Sequence, residues 1–160
     1  MKNITGIAFA FFLFIGVIIP AHSYAANINP GMIDMEKMSK DTGIPVAEIK
    51  YRLGDRSIAT VEDARAVFTL SLSEQLSLSE QAEERYRALE KWIELSATAK
   101  EIREAWKRTR KGSSLYDKAL QRWIDLAKTP TEAYEVWELA PTNSKEKKAA
   151  FEKLASFYKK

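Results

Sequence analysis

The sequence predicts an all-α fold, a short right-handed stack of antiparallel helical hairpins in the manner of an α-solenoid. Three observations predict it. The stretch ALEKWIELS at 88–96 returns thirty-one residues later as ALQRWIDLA at 119–127. A threonine followed three positions on by an acid opens each copy: Thr60 with Asp63, Thr98 with Glu101, Thr129 with Glu132. Between these marks the apolar residues recur at three- and four-residue steps, the period of an amphipathic helix. Self-similarity at a fixed period is the signature of a repeat architecture.

Three units follow, 60–97, 98–128 and 129–160, and each divides into two helices. The leading threonine accepts an orphan amide of the first turn, and the acid answers at the positive end of the helix dipole. Pro130 suits a first helical position, where its missing N–H costs nothing. Gly112 and Pro141 end first helices. Ser77 with Glu80, Ser114 with Asp117 and Asn143 with Glu146 are expected to cap the second helices. Ile102, Ala105 and Trp106, then Leu115, Ala119, Leu120, Trp123 and Leu126, line the inner face of the middle unit. A single hairpin cannot bury such a face; three in register can. Trp92, Trp106, Trp123 and Trp137, with Leu154 in the last unit, are therefore the expected repeat core, each tryptophan burying on the order of 150–250 Å².

The first unit is longer. Thr60 to Ala88 spans 28 residues, whereas Thr98 to Ala119 and Thr129 to Ala150 each span 21. The excess coincides with a duplication, LSLSEQ at 70–75 and again at 76–81. It lengthens a helix or loop, and in a repeat array such an insertion is a place to look for a contact segment.

Ahead of the units, residues 1–25 read as a cleavable signal peptide. Lys2 precedes an apolar run from Ile4 to Ile19, Pro20 breaks it, and Ser23 and Ala25 stand at −3 and −1. The run is shorter than the roughly 20 residues of a membrane span. Cleavage after Ala25 leaves a periplasmic or secreted chain with no stable membrane insertion; an uncleaved signal anchor exports the same residues. The chain has no cysteine, which excludes a lipid-modified lipoprotein. Residues 26–59 form an amino-terminal helical cap. There MSKDTGIPVAEIKYRL resembles the helix-turn-helix of DNA-binding repressors, with Ser39, Gly43, Ile44 and Ile49 in that family's places. The resemblance implies that Val46 to Tyr51 face the major groove. Only Lys50 among them is basic and Glu48 repels phosphate, so a cap is expected and nucleic acid is not a partner.

Composition narrows the chemistry. The one histidine, His22, lies in the signal segment. Without His or Cys, the mature chain lacks Ser-His-Asp and Cys-His nucleophilic sites and the usual zinc ligands. No catalytic, cofactor-binding or metal-binding residue is expected. After Lys2 is removed, 24 basic side chains face 22 acidic ones with interspersed signs, leaving basic knots only at 107–111 and 145–148. No field suited to nucleic acid results.

The layout of 60–160 resembles tetratricopeptide-like hairpin repeats. The period is 31 rather than about 34, and the family's Trp-x-x-Leu-Gly-x-x-Tyr pattern is absent. The resemblance implies an adaptor that binds a protein, peptide or helix along first helices lining a concave face. Arg65, Lys100, Arg103, Lys107, Tyr134 and Glu138 are the contact residues this implies. Two alternatives are an enzyme using paired carboxylates on peptidoglycan or another glycan, and an envelope-associated structural protein whose closing Phe-Tyr-Lys-Lys touches a membrane surface.

Overall fold

The computed structural model describes residues 33–72 and 77–159. The predicted signal peptide and part of the LSLSEQ duplication lie outside the described residues. Eight helices and no strand are present among the described residues: α1 Met35–Thr42, α2 Val46–Arg52, α3 Val61–Leu70, α4 Leu78–Leu95, α5 Ala99–Trp106, α6 Ser114–Leu126, α7 Pro130–Leu139 and α8 Lys145–Ser156. They belong to one compact unit, Met35–Lys160. The fold is an all-α stack of helical hairpins: α3 packs on α4, α5 on α6 and α7 on α8.

The first helices start where the threonines stand, and for the reason expected. Thr60, Thr98 and Thr129 each accept a hydrogen bond from the amide three residues on, at 3.1, 3.2 and 3.2 Å. The acids return the bond. Asp63, Glu101 and Glu132 accept from the threonine amides at 3.0, 3.1 and 3.1 Å, and also from the residue before at 3.2, 2.8 and 2.7 Å. One carboxylate thus satisfies two orphan donors in every unit. Among the second helices, α4 starts as expected, with Ser77 accepting from the Glu80 amide at 3.3 Å and Glu80 accepting from the Ser77 amide at 2.9 Å, whereas α6 and α8 depart from expectation by one residue. Ser113 and Ser144 are the caps, accepting from Tyr116 and Lys147, in place of Ser114 and Asn143. An N-cap needs extended backbone, and Asn143 is instead in the left-handed region at φ 64°. Asparagine tolerates that region where most side chains do not, so Pro141–Asn143 turn the chain and Ser144 receives the cap. Gly112, at φ +80°, does the same for Ser113.

The duplication lengthens a helix. Helix α4 has 18 residues against 13 in α6 and 12 in α8. It begins ten residues before Ala88, while α6 and α8 begin five before Ala119 and Ala150. The extra turns carry Leu78, 85% exposed. Just beyond them Glu84 anchors the cap: Arg56 donates to both its oxygens at 2.8 and 2.9 Å and to Tyr51 Oη at 2.9 Å. Tyr51 is buried within the main core, and Lys50 pairs with the buried Asp63 at 3.4 Å. Glu48 pairs with Arg52 on the same helix at 2.6 Å. Helix α2 packs on α3, with Ala47, Ile49 and Tyr51 buried.

The core runs through all three units. Trp92 and Trp123 are fully buried, with Val67, Ile93, Ile102, Leu120 and Val136. Trp106 and Trp137 are half-buried against that cluster, and Leu154 is also half-buried. Phe68 meets Trp92 edge-on at 6.3 Å, and Trp106 lies 5.6 Å from Trp123. Such ring pairs add about 0.5–1.5 kcal/mol beyond burial. The indole N–H groups of Trp92, Trp106 and Trp123 are buried and find no acceptor among the described residues, so shape and area justify tryptophan there and its polar handle does not.

Candidate functional site

Two neighbouring units meet in two different ways. Successive second helices pack directly, α4 on α6 and α6 on α8. Successive first helices are joined by a ladder of ion pairs. Arg65, five residues after its threonine, reaches Glu104 of the next unit at 2.7 Å. Arg103, at the same repeat position, reaches Glu135 of the last unit. Glu104 and Glu135 each stand six residues after their own threonines, so the rungs are equivalent. The third unit carries Tyr134 where the arginine would be. The ladder therefore divides the six expected contact residues. Arg65 and Arg103 are engaged between units, whereas Lys100, Lys107, Tyr134 and Glu138 are exposed.

Above the first rung the fold assembles a group of cations that no sequence segment contains. The Phe68–Trp92 pair is covered by three guanidinium groups. Arg65 lies 5.1 Å and Arg108 5.2 Å from the Trp92 ring centre; Arg85 lies 4.4 Å and Arg108 5.9 Å from that of Phe68. Arginine lies flat on aromatic faces by cation–π attraction, its alkyl stem sealing apolar surface. Only Arg65 of the three has a carboxylate partner among the described residues. The Nε atoms of Arg65 and Arg85 are buried without an acceptor. Arg85 comes from α4 and Arg108 from the turn between α5 and α6, which also exposes Lys107, Arg110 and Lys111. Sequence reasoning missed Arg85 and Arg108 because their shared feature is spatial. The signal within reach was the basic knot at 107–111.

A shallow groove of about 660 Å³ runs across the second helices, lined in part by Glu94, Asp117, Lys118, Arg122, Asp125 and Glu146. Lys118 bridges the first two units, donating to Glu90 at 3.1 Å and Glu94 at 2.9 Å. The Lys91 and Lys118 ammonium groups hydrogen-bonded to Glu94 hold its carboxyl down at about 2, and Glu94 in turn raises Lys118. Asp55, Glu80 and Glu101 also sit below their ordinary values, through hydrogen bonds from Ser57, from Ser77, and from the Ala97 amide respectively. Glu146 is buried in the groove wall; Lys145 approaches its Oε1 to 3.6 Å, too long for a hydrogen bond. No group of His, Cys, Asp and Glu fit to hold a metal ion occurs among the described residues.

The last unit carries a third feature, a group of aromatic rings. Tyr134, Trp137 and Phe151 form a row of rings, with centres 5.6 and 6.4 Å apart, and Lys147 lies 4.9 Å over Trp137. Tyr134 is 47% exposed, Phe151 56% and Tyr158 71%. No protein-family model, curated protein or solved structure matches the chain.

Proposed function

We propose that the protein is an exported, periplasmic or secreted bacterial helical-repeat module that works as an adaptor by binding another protein. The observation that supports this reading is the aromatic row on the last unit. Tyr134, Phe151 and Tyr158 stand exposed on an otherwise well-packed helical scaffold. Contiguous exposed aromatic surface of this kind marks interaction sites, where tyrosine and tryptophan supply contact area at low entropic cost. Against the glycan-hydrolase alternative stands the direction of the resolved carboxyl shifts. A general acid working near neutral pH needs a raised value, and those of Asp55, Glu80, Glu94 and Glu101 are lowered.

The test is crosslinking in the native organism, with a photoreactive residue at Phe151 and a control at exposed Glu62. One protein enriched at Phe151 and absent at Glu62 is the expected result. The same background at both positions would sink the adaptor reading. A second reading, an envelope-associated protein resting on a membrane surface, is favoured by cations lying on aromatic rings of the last unit, Lys147 over Trp137 and Lys153 over Phe157. It requires sedimentation with anionic vesicles that is lost when residues 157–160 are deleted.

A further inference from the structure

We infer that Arg65, Arg85 and Arg108 form a carboxylate-binding site for an acidic segment of a partner protein. The three guanidinium groups lie around two rings whose centres are 6.3 Å apart, and the carboxylates that answer them, Glu104 in an ion pair and Glu101 through its charge, both act on Arg65. Like charges held this close repel, and the repulsion is relieved by a counter-anion. A guanidinium lying on a ring keeps its N–H donors in its own plane, directed past the ring edge, where a carboxylate takes them as a fork. The Arg65 and Arg85 Nε donors are buried and have no acceptor among the described residues, so it is the terminal N–H groups of the guanidiniums that face a partner. A buried donor left unpaired is destabilising, and a bound acid at the rim of the cluster offsets the charge that this arrangement concentrates.

The surroundings select the kind of anion. Lys107, Arg110 and Lys111 stand exposed on the same turn as Arg108, so the positive field continues beyond the rings. A field of six cations suits a chain that carries several acids rather than one small ion. The resident partner in the cluster is itself a glutamate, and the same chemistry repeats at Arg103 with Glu135. This inference rests on reading the protein as a binding module, and it concerns residues of the first unit and of the turn between α5 and α6 rather than the aromatic row of the last unit.

The test uses the purified protein and a fluorescein-labelled twelve-residue peptide of alternating glutamate and alanine, followed by anisotropy at physiological salt. Saturable binding is expected, weakened at least fivefold by Arg85→Gln with Arg108→Gln. Lys145→Gln with Lys148→Gln removes the same charge elsewhere and is expected to leave the affinity within twofold. Arg108→Gln alone, at an exposed position that leaves Phe68 covered by Arg85, is expected to weaken binding about threefold. That variant keeps the test decisive should the double variant fold poorly. No saturable binding, or equal losses in the two double variants, overturns the site. Inorganic phosphate competing as well as the peptide at matched ionic strength overturns the peptide assignment in favour of a phosphate group. A partner crosslinked at Phe151 but indifferent to Arg108→Gln refutes this site and leaves the adaptor reading standing. Peptide binding with no crosslinked partner does the reverse.

Discussion

The middle and last units share a sequence pattern and differ in what lies beyond them. Leu120 and Phe151 fill one repeat position, directly after Ala119 and Ala150. Leu120 is 0% exposed and Phe151 is 56% exposed. Trp123 is fully buried, and Leu154, in its slot, is half-buried. The difference is not one of hydrophobicity, since phenylalanine is at least as apolar as leucine. Helix α8 lies against α6, and no described helix lies against the outer side of α8. Burial in a hairpin stack is conferred by the following unit. The last unit compensates within itself by setting Phe151 and Tyr134 in tilted contact with Trp137.

The strongest challenge to that comparison is truncation at the tryptophan slot. Trp123→Ala is expected to cost about 3–5 kcal/mol, the usual range for emptying a buried aromatic site. Leu154→Ala, at the same slot with less covering it, is expected to cost about 1–2 kcal/mol, since partial burial forfeits part of the transfer free energy. Urea unfolding with a common slope gives both values. Equal costs would mean that the third unit is as tightly packed as the second. Trp123→Phe is expected to lose much less than the alanine variant, because the indole N–H it removes has no partner.

The neighbouring position asks the same question more gently. Leu120→Ala is expected to cost about 2–5 kcal/mol and Phe151→Ala less than about 1 kcal/mol, because water already reaches the Phe151 ring. Should Phe151→Ala prove as damaging as Leu120→Ala, the exposed row is held by something other than its own ring contacts. Smaller again is the cap. Thr98→Ala and Thr129→Ala are each expected to cost about 1 kcal/mol. Near-equal values would show that the capping boxes, unlike the core slots, are indifferent to position in the stack.

That contrast explains what the sequence disclosed and what it withheld. The capping boxes were legible because their hydrogen bonds close over three residues, so Thr60, Thr98 and Thr129 state their own role. The hairpins and the buried Trp92 and Trp123 were legible because helical period and repeat register are one-dimensional; Trp106, Trp137 and Leu154, expected beside them, are only half-buried. The caps of α6 and α8 were misplaced by one residue, since the left-handed turn at Asn143 leaves no mark beyond the asparagine itself. Arg65 and Arg103 read as free contact residues because their partners stand one repeat away. An arginine at the fifth position and a glutamate at the sixth of the next unit was the available clue. The arginine cluster was hidden: Arg65, Arg85 and Arg108 come from three segments, and each alone reads as an ordinary polar-face residue.

The most delicate contrast between the two junctions is electrostatic. Lys118, directly before Ala119, ties the first two units through Glu90 and Glu94. Its counterpart directly before Ala150 is Ala149, which carries no charge to offer Asp125, the counterpart of Glu94. Glu94→Gln is therefore expected to destabilise the protein by about 0.2–1 kcal/mol at pH 7, the range for exposed pairs. Asp125→Asn is expected to stay within about 0.5 kcal/mol of wild type. Acid distinguishes the pair contribution from any loss of packing. The folded value for Glu94 lies near 2, below its ordinary 4.5, so the unfolded chain takes up the proton first as pH falls. The stabilisation is complete above about pH 4.5 and is lost progressively as pH falls toward 2. The gap between wild type and Glu94→Gln should close across that window, while Lys118→Met should narrow it already at neutral pH. A gap that persists unchanged at pH 2 would assign the effect to side-chain packing and remove the charge bridge from the first junction.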